Sequence, residues 1–279
     1  MESYKICSLY SGSKGNSTFF EIGGKRFLID AGKSARALCS ALESIGVDPN
    51  SLDAIFVTHE HSDHISALQT FSHKHSVPIH IVLESARRFD GLCDAKLCSC
   101  LCLYDKSNFR VELDGVTVIA FPTPHDSRCS VGYRIEYGDT KIAYATDVGY
   151  VTDEVRDALM GCESVVLESN HDVEMLLFGP YPYELKERIS SRYGHLSNRE
   201  CAALSSLLCA SGTRNILLAH LSEENNTPDV AYNETLAAVG TSVNLRVASQ
   251  YSPVWLVGGG ESVEYEDEFF KLWCKKECD

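Results

Sequence analysis

The segment His59-Glu60-His61-Ser62-Asp63-His64 places three imidazoles and two carboxylates in six consecutive residues, directly after the apolar run Ala54-Ile55-Phe56-Val57. No packing requirement explains that composition, so the chain is expected to end a buried strand here and present the histidines at its exit. In extended backbone, side chains two apart share a face. His59 and His61 can therefore converge on one ion, while Asp63 and His64, at the start of a following helix, address another. The cluster reads as a two-metal hydrolytic site. The plainer alternative is a solvated loop rich in histidine, because single neutral imidazoles sit comfortably at half-buried positions.

A chain of 279 residues with 44% hydrophobic content can bury a large core. The expected organisation is one domain over 1–260 and an acidic, aromatic tail over 261–279, docked or frayed. No run approaches the roughly 18 apolar residues of a membrane span, and Met1-Glu2-Ser3-Tyr4-Lys5 lacks a basic region leading into an apolar core. The expectation is a cytoplasmic protein with no membrane partner. Its twelve cysteines then read as reduced thiols, and Cys93, Cys98, Cys100 and Cys102 lack the paired C-x-x-C spacing of a zinc site. A net charge of −14 argues mildly against a polyanionic substrate. Bound cations or a local basic face can reverse that field, and Lys186, Arg188, Arg192 and Arg199 gather within fourteen residues.

Strands are expected at Tyr4 to Leu9, Thr18 to Ile22, Arg26 to Ile29, Asp53 to Val57, Pro78 to Leu83, Phe109 to Leu113, Thr117 to Phe121, Val131 to Tyr137 and Lys141 to Ala145. The second half adds strands at Ser164 to Leu167, Asn215 to Ala219, Leu245 to Ala248 and Val254 to Val257. Helices are expected at Ala35 to Ile45, His64 to His75, Thr152 to Met160, Tyr183 to Arg192, Asn198 to Ala210 and Asp229 to Val239. Gly23-Gly24, Asp114-Gly115 and Gly138-Asp139 read as turns. Two β-rich halves, each with helices, fit an α/β (α+β) class of two stacked sheets with helices outside better than a doubly wound sheet.

Two metals need further ligands, and three residues stand at other strand exits. His125 follows Phe121-Pro-Thr-Pro124, Asp147 ends Ala143-Tyr-Ala-Thr146, and His220 ends Ile216-Leu-Leu-Ala219. His59, His61 and His125 could hold a first metal; Asp63, His64 and His220 a second; Asp147 could bridge them. Imidazole and carboxylate donors without thiolate suit zinc, manganese or iron. His73, His75 and His80 have no strand-exit context and are expected at the surface or in the core.

In this order and context the constellation resembles the metallo-β-lactamase superfamily, which implies a four-layer αββα sandwich over nearly the whole chain. Ser11-Gly-Ser-Lys-Gly-Asn-Ser17, Leu28-Ile-Asp30-Ala-Gly32, Glu168-Ser-Asn170-His171-Asp172 and Gly194-His195-Leu-Ser-Asn198 further resemble the bacterial YycJ/WalJ (VicX) type. That resemblance implies a DNA exonuclease acting from 5′ ends. The loop carrying Ser11, Lys14 and Asn16 reads as an anion nest near a phosphate or as a tight turn. Asp30 reads as orienting a metal-bound imidazole or as a turn residue. His195 could contact the scissile phosphate or protonate the leaving oxygen, or could lie in a turn between Gly194 and a Ser197 cap. His171 could line the cleft, or Asp172 beside it could simply cap a helix.

The expected mechanism is phosphodiester hydrolysis by two divalent metals roughly 3.5 to 4 Å apart that share an activated hydroxide. Asp63 would ligate and accept the water proton, and His195 would assist the departing oxygen. Hydrolysis of a small ester, thioester, lactone or cyclic phosphodiester, RNA processing, and a metal-binding protein without catalysis are the competing readings.

Overall fold

The computed structural model describes residues 4–89 and 94–258. The first half runs β1 Tyr4–Tyr10, β2 Ser17–Ile22, β3 Lys25–Ile29, α1 Ala35–Ser44, β4 Ala54–Phe56, α2 Ser62–Ile65, α3 Leu68–His75, β5 Ile79–Val82, α4 Leu83–Ala86, α5 Ala95–Cys100 and β6 Leu101–Tyr104. The second begins with β7 Arg110–Leu113, β8 Val116–Pro122, β9 Val131–Tyr137, β10 Thr140–Ala145, α6 Asp153–Leu159 and β11 Ser164–Glu168. It continues with α7 Val173–Phe178, α8 Tyr183–Ile189, α9 Asn198–Ala210, β12 Asn215–Ala219, α10 Pro228–Val239, β13 Asn244–Val247 and β14 Val254–Gly258.

These strands form two seven-stranded mixed sheets, ordered β14-β1-β2-β3-β4-β5-β6 and β13-β12-β11-β10-β9-β8-β7. Their facing surfaces share one core, in which Phe20, Phe27 and Phe56 from the first sheet meet Tyr133, Tyr144, Val166 and Leu217 from the second. The opposite face of the first sheet packs on Leu38, Leu42, Leu68 and Phe71 of α1 and α3. That of the second packs on Val155, Leu159, Leu204 and Leu208 of α6 and α9. Apolar residues on both faces of the central strands thus produce the expected four-layer αββα sandwich. Among the described residues no helix is long and apolar enough to cross a membrane.

The expected His64 to His75 helix is two helices, α2 and α3, separated at Ser66-Ala67. The break occurs where Ala67 N–H donates to Ala31 O at 2.8 Å instead of continuing the helical pattern. The expected strand at Pro78 to Leu83 stops at Val82, because Leu83 opens α4. The reading of reduced thiols holds for eight described cysteines and not for Cys98, which is disulfide-bonded from the exposed side of α5. Cys93 and the 261–279 tail lie outside the described residues. His80 is buried on β5, stacked on Phe56 at 4.8 Å, while His73 and His75 lie on α3.

One close approach ties the sheet to the histidine cluster. The chain leaving β3 runs between the 11–17 loop and α2, with Gly32 N–H donating to Asn16 O at 2.9 Å and Ala31 N–H to His64 O at 2.8 Å. A Cβ at Gly32 would lie 1.5 Å from the Asp63 carbonyl oxygen. The Gly32→Ala variant is expected to lose about 3 kcal/mol in chemical denaturation, at the upper end of overpacking costs, because backbone must move. Gly24→Ala, with nothing within 4 Å of its Cβ but φ +75°, should lose only about 1 kcal/mol.

Candidate metal centre

Most candidate ligands stand just beyond a strand, while Asp63 and His64 lie on α2, which follows β4. β3 and β4 run parallel, as do β10, β11 and β12, and their C-terminal ends reach the same edge of the sandwich. Asp30, Asp147 and His220, immediately or one residue beyond their strands, take the left-handed conformation with φ of 63°, 57° and 58°. Asp and His tolerate that region better than most side chains. The turn stops each strand abruptly and directs its last polar side chain across the mouth of the two sheets.

The rings are aimed by their Nδ1 atoms. His64 Nδ1–H donates to Asp30 Oδ2 at 2.7 Å, and His125 Nδ1–H to the Gly194 carbonyl at 3.0 Å. His220 Nδ1–H donates to Glu168 Oε1 at 3.0 Å. His59 Nδ1 meets Thr58 Oγ1 at 3.0 Å, and that hydroxyl donates onward to Asp30. With Nδ1 engaged, each ring turns Nε2 toward the common centre, the arrangement by which an outer oxygen fixes a metal-binding imidazole.

The donor atoms gather as the sequence order suggests. Potential ligand atoms of His59, His61 and His125 lie within 4.8 Å of one another, and so do those of Asp63, His64 and His220. Asp147 sits between the groups, with Oδ2 3.4 Å from His64 Nε2 and Oδ1 3.6 Å from both His125 Nε2 and His220 Nε2. His59 Nε2, His220 Nε2 and Asp147 Oδ2 are buried without a hydrogen-bond partner among the described residues. Buried polar atoms are rarely left so. Converging imidazole and carboxylate lone pairs that lack partners are what a divalent cation requires, so the residues fit the metal role that the sequence assigns to them.

Glu168, to which the sequence alone assigns no role, is central. This fully buried carboxylate accepts from His195 Nδ1–H at 2.8 Å and His220 Nδ1–H at 3.0 Å through one oxygen. Through the other it accepts from Val148 N–H at 2.8 Å and Leu196 N–H at 3.1 Å. Its position at the end of β11 obeys the same strand-exit rule as Asp147 and His220, and that rule was the available signal.

The remaining candidates separate. Asp30 accepts from the backbone and hydroxyl of Thr58 and from His64, so it holds the His64 ring in place. Asn16, buried, reaches Asp63 Oδ2 at 3.2 Å and His64 Nε2 at 3.1 Å, while its Oδ1 accepts from Gly12 N–H. Ser11 Oγ accepts from His220 N–H at 2.7 Å. The N–H groups of Ser11, Gly12, Gly15 and Asn16 all donate within the protein, so this loop braces the histidines and offers no anion nest through them. Lys14 is exposed and paired with Glu223 at 2.6 Å.

His195 lines a cavity of about 190 Å³ together with Asp126 and His220. Ser197 does cap α9, in a capping box with Glu200, so His195 occupies that turn and also faces the cavity. His171 is buried, does not line this cavity, and stands beside Asp172, which caps α7.

Burial and mutual charge set the protonation. Burial pushes the Asp147 carboxyl up, but His220, His64, His59 and His125 outweigh it and hold it well below its usual range. Burial would likewise raise Glu168, yet His195 and His220 bring it to about 2. Burial alone would depress His220; the carboxylates of Asp147, Asp63 and Glu168 prevail and raise it to about 10. Burial keeps His125 and His59 below the usual imidazole value.

Without metal, His220 therefore carries a proton at pH 7, which ligation through this ring would have to expel. Metal binding is expected to release at least one proton per chain, and affinity should rise at least about tenfold per pH unit below the His220 value. Calorimetry in buffers of different ionisation enthalpy measures this directly. The Glu168→Gln variant, lacking the charge that favours the proton, should release less.

A family model described as a β-lactamase superfamily domain matches residues 25–221. The chain is 32% identical over 253 residues to exodeoxyribonuclease WalJ of Streptococcus pneumoniae, covering 88% of this chain and 93% of that protein. It is 33% identical over 223 residues to exodeoxyribonuclease YycJ of Bacillus anthracis, covering 80% and 84%. The metallo-β-lactamase fold protein YhfI from Bacillus subtilis superposes with a TM-score of 0.71 at 18% identity, over 91% of this chain and all of that one. With its sandwich, its strand-exit histidines and these relatives, the chain belongs to the metallo-β-lactamase superfamily and, within it, to the WalJ/YycJ family.

Proposed function

We propose that the protein is a two-metal phosphodiesterase, a cytoplasmic 5′-to-3′ DNA exonuclease. The observation that carries this reading is the pair of three-residue donor sets on either side of Asp147. DNA as substrate is supported by the two exodeoxyribonucleases of which the chain covers more than four-fifths. The 5′ polarity rests on the family resemblance. The 72 residues between Asp147 and His220 are occupied by α6, β11, α7, α8, α9 and β12, which leaves no length there for a large inserted domain.

In this reading His59, His61 and His125 would hold one divalent ion and Asp63, His64 and His220 the other, with Asp147 available to both; zinc and manganese would suit the donors, and iron is compatible. When bound, such ions supply water activation and charge neutralisation at a phosphate. The chain does the rest. Asp63, 22% exposed at its side chain, accepts the proton of the attacking water. His195 faces the cavity, and because its Nδ1–H is held by Glu168, Nε2 is the nitrogen left to donate to the departing oxygen. Glu168 stabilises the imidazolium from which that proton comes, as a buried carboxylate does for a catalytic histidine.

His61→Ala or Asp147→Ala should reduce DNA hydrolysis at least about a thousandfold while leaving the far-ultraviolet circular dichroism unchanged. His195→Ala should reduce turnover by a smaller factor of about 10² to 10⁴, within the general-acid range. The assay compares linear duplex, circular duplex, RNA and a chromogenic thioester with manganese or zinc present. Loss of linear DNA alone, from the 5′ end, is expected; thioester turnover alone would overturn the reading.

A further inference from the structure

No residue of α8 is buried, although Leu185 and Ile189 are apolar. The core does not explain this helix, but the cavity beside His195 and His220 does. Leu185, Arg188 and Ile189, at i, i+3 and i+4, share one helical face, and that face together with Tyr181 lines the cavity. The lining also includes the small polar residues Ser13, Asn170 and Ser222. At about 190 Å³ the space lies below the roughly 300 to 1,000 Å³ of drug-sized pockets, so it accepts one small unit.

A lining that combines apolar side chains with hydrogen-bonding groups matches a nucleoside, whose base has apolar faces and polar edges. Arg188 adds a cation at the same place. Its Nε–H donates to Asp126 Oδ2, which pins the guanidinium while its two terminal NH₂ groups remain for a ligand. In a chain of net charge −14, a pinned arginine beside the candidate acid favours a phosphate there. The far end of α8 is fixed to the site as well, since His195 N–H donates to Ile189 O at 2.9 Å.

We propose that this cavity is a single-nucleotide subsite: Tyr181, Leu185 and Ile189 seat the base of the nucleotide adjoining the cleaved bond, and Arg188 engages a strand phosphate. The inference rests on the phosphodiesterase reading and adds to it a recognition element that acts on the base. Stacking on an aromatic side chain tolerates every base, so the subsite confers processing one nucleotide at a time without sequence preference.

The test titrates the manganese-loaded protein with deoxyadenosine monophosphate and with deoxyribose 5-phosphate, which lacks the base, each as a competitor of bis(p-nitrophenyl) phosphate hydrolysis. The nucleotide should bind at least about tenfold more tightly, the lower part of the range for one stacked base. Tyr181→Ala and Leu185→Ala should each bring the two ligands closer by at least about threefold, whereas Leu207→Ala, on the exposed side of α9, should keep the wild-type ratio. Because α8 buries nothing, Leu185→Ala provides a second reading if Tyr181→Ala folds poorly. Equal binding of the two ligands by the wild type, or a wild-type ratio in both subsite variants, overturns the proposal. Degradation of linear DNA by the same preparations is scored separately. Base preference without DNA degradation supports the subsite and removes the exonuclease reading; DNA degradation without base preference does the reverse.

Discussion

The Asp147 carboxylate organises this molecule's chemistry. It is 1% exposed and faces imidazoles of His64, His125, His195 and His220 at 3.4 to 3.7 Å. A buried carboxylate is costly unless positive charge accompanies it. Here that charge comes from protonated imidazole in the metal-free protein and, in the function proposed, from divalent ions. His59 and His64 arrive from the first sheet, and Asp147, Glu168 and His220 from the second, so the centre exists only while both sheets hold their register. The shared aromatic core between them maintains it.

Strain and orientation are concentrated at the same edge. Three strand exits adopt left-handed backbone, a conformation that non-glycine residues keep only where their surroundings enforce it. The enforcement is visible in the bonds around them: Asp30 is tied to Thr58 and His64, and the His220 backbone is tied to Ser11. Loops that the sequence offers as substrate contacts thus act inward. The helix with no buried residue, α8, is the one that borders the cavity, and its first residue Tyr183 is exposed, as is Phe178 at the end of α7.

Much of the fold was legible because buried strands announce themselves by β-branched and aromatic runs, and hairpins by paired glycines such as Gly23-Gly24, both at positive φ. The stretch from Leu83 to Tyr104 was not. α4 and α5 are short, and β6, Leu101-Cys-Leu-Tyr104, is only partly buried, so neither periodicity stood out. Most of the candidate ligand set follows one rule, a polar residue where an apolar strand ends. Glu168 directly follows its expected strand as His220 follows its own, but its part in orienting His195 and His220 depends on tertiary contacts that the strand-exit rule does not encode. The roles of Ser11 and Asn16 were hidden for a related reason: whether a loop's donors face a ligand or its own protein depends on tertiary contacts that local sequence does not encode.

The central claim is that two ions sit on either side of Asp147. Anomalous diffraction from crystals of the manganese-loaded protein tests it most directly. The account predicts two peaks of comparable height, one within coordinating distance of His59, His61 and His125 and the other of Asp63, His64 and His220, with Asp147 touching both. A single peak, or peaks away from Asp147, would contradict it.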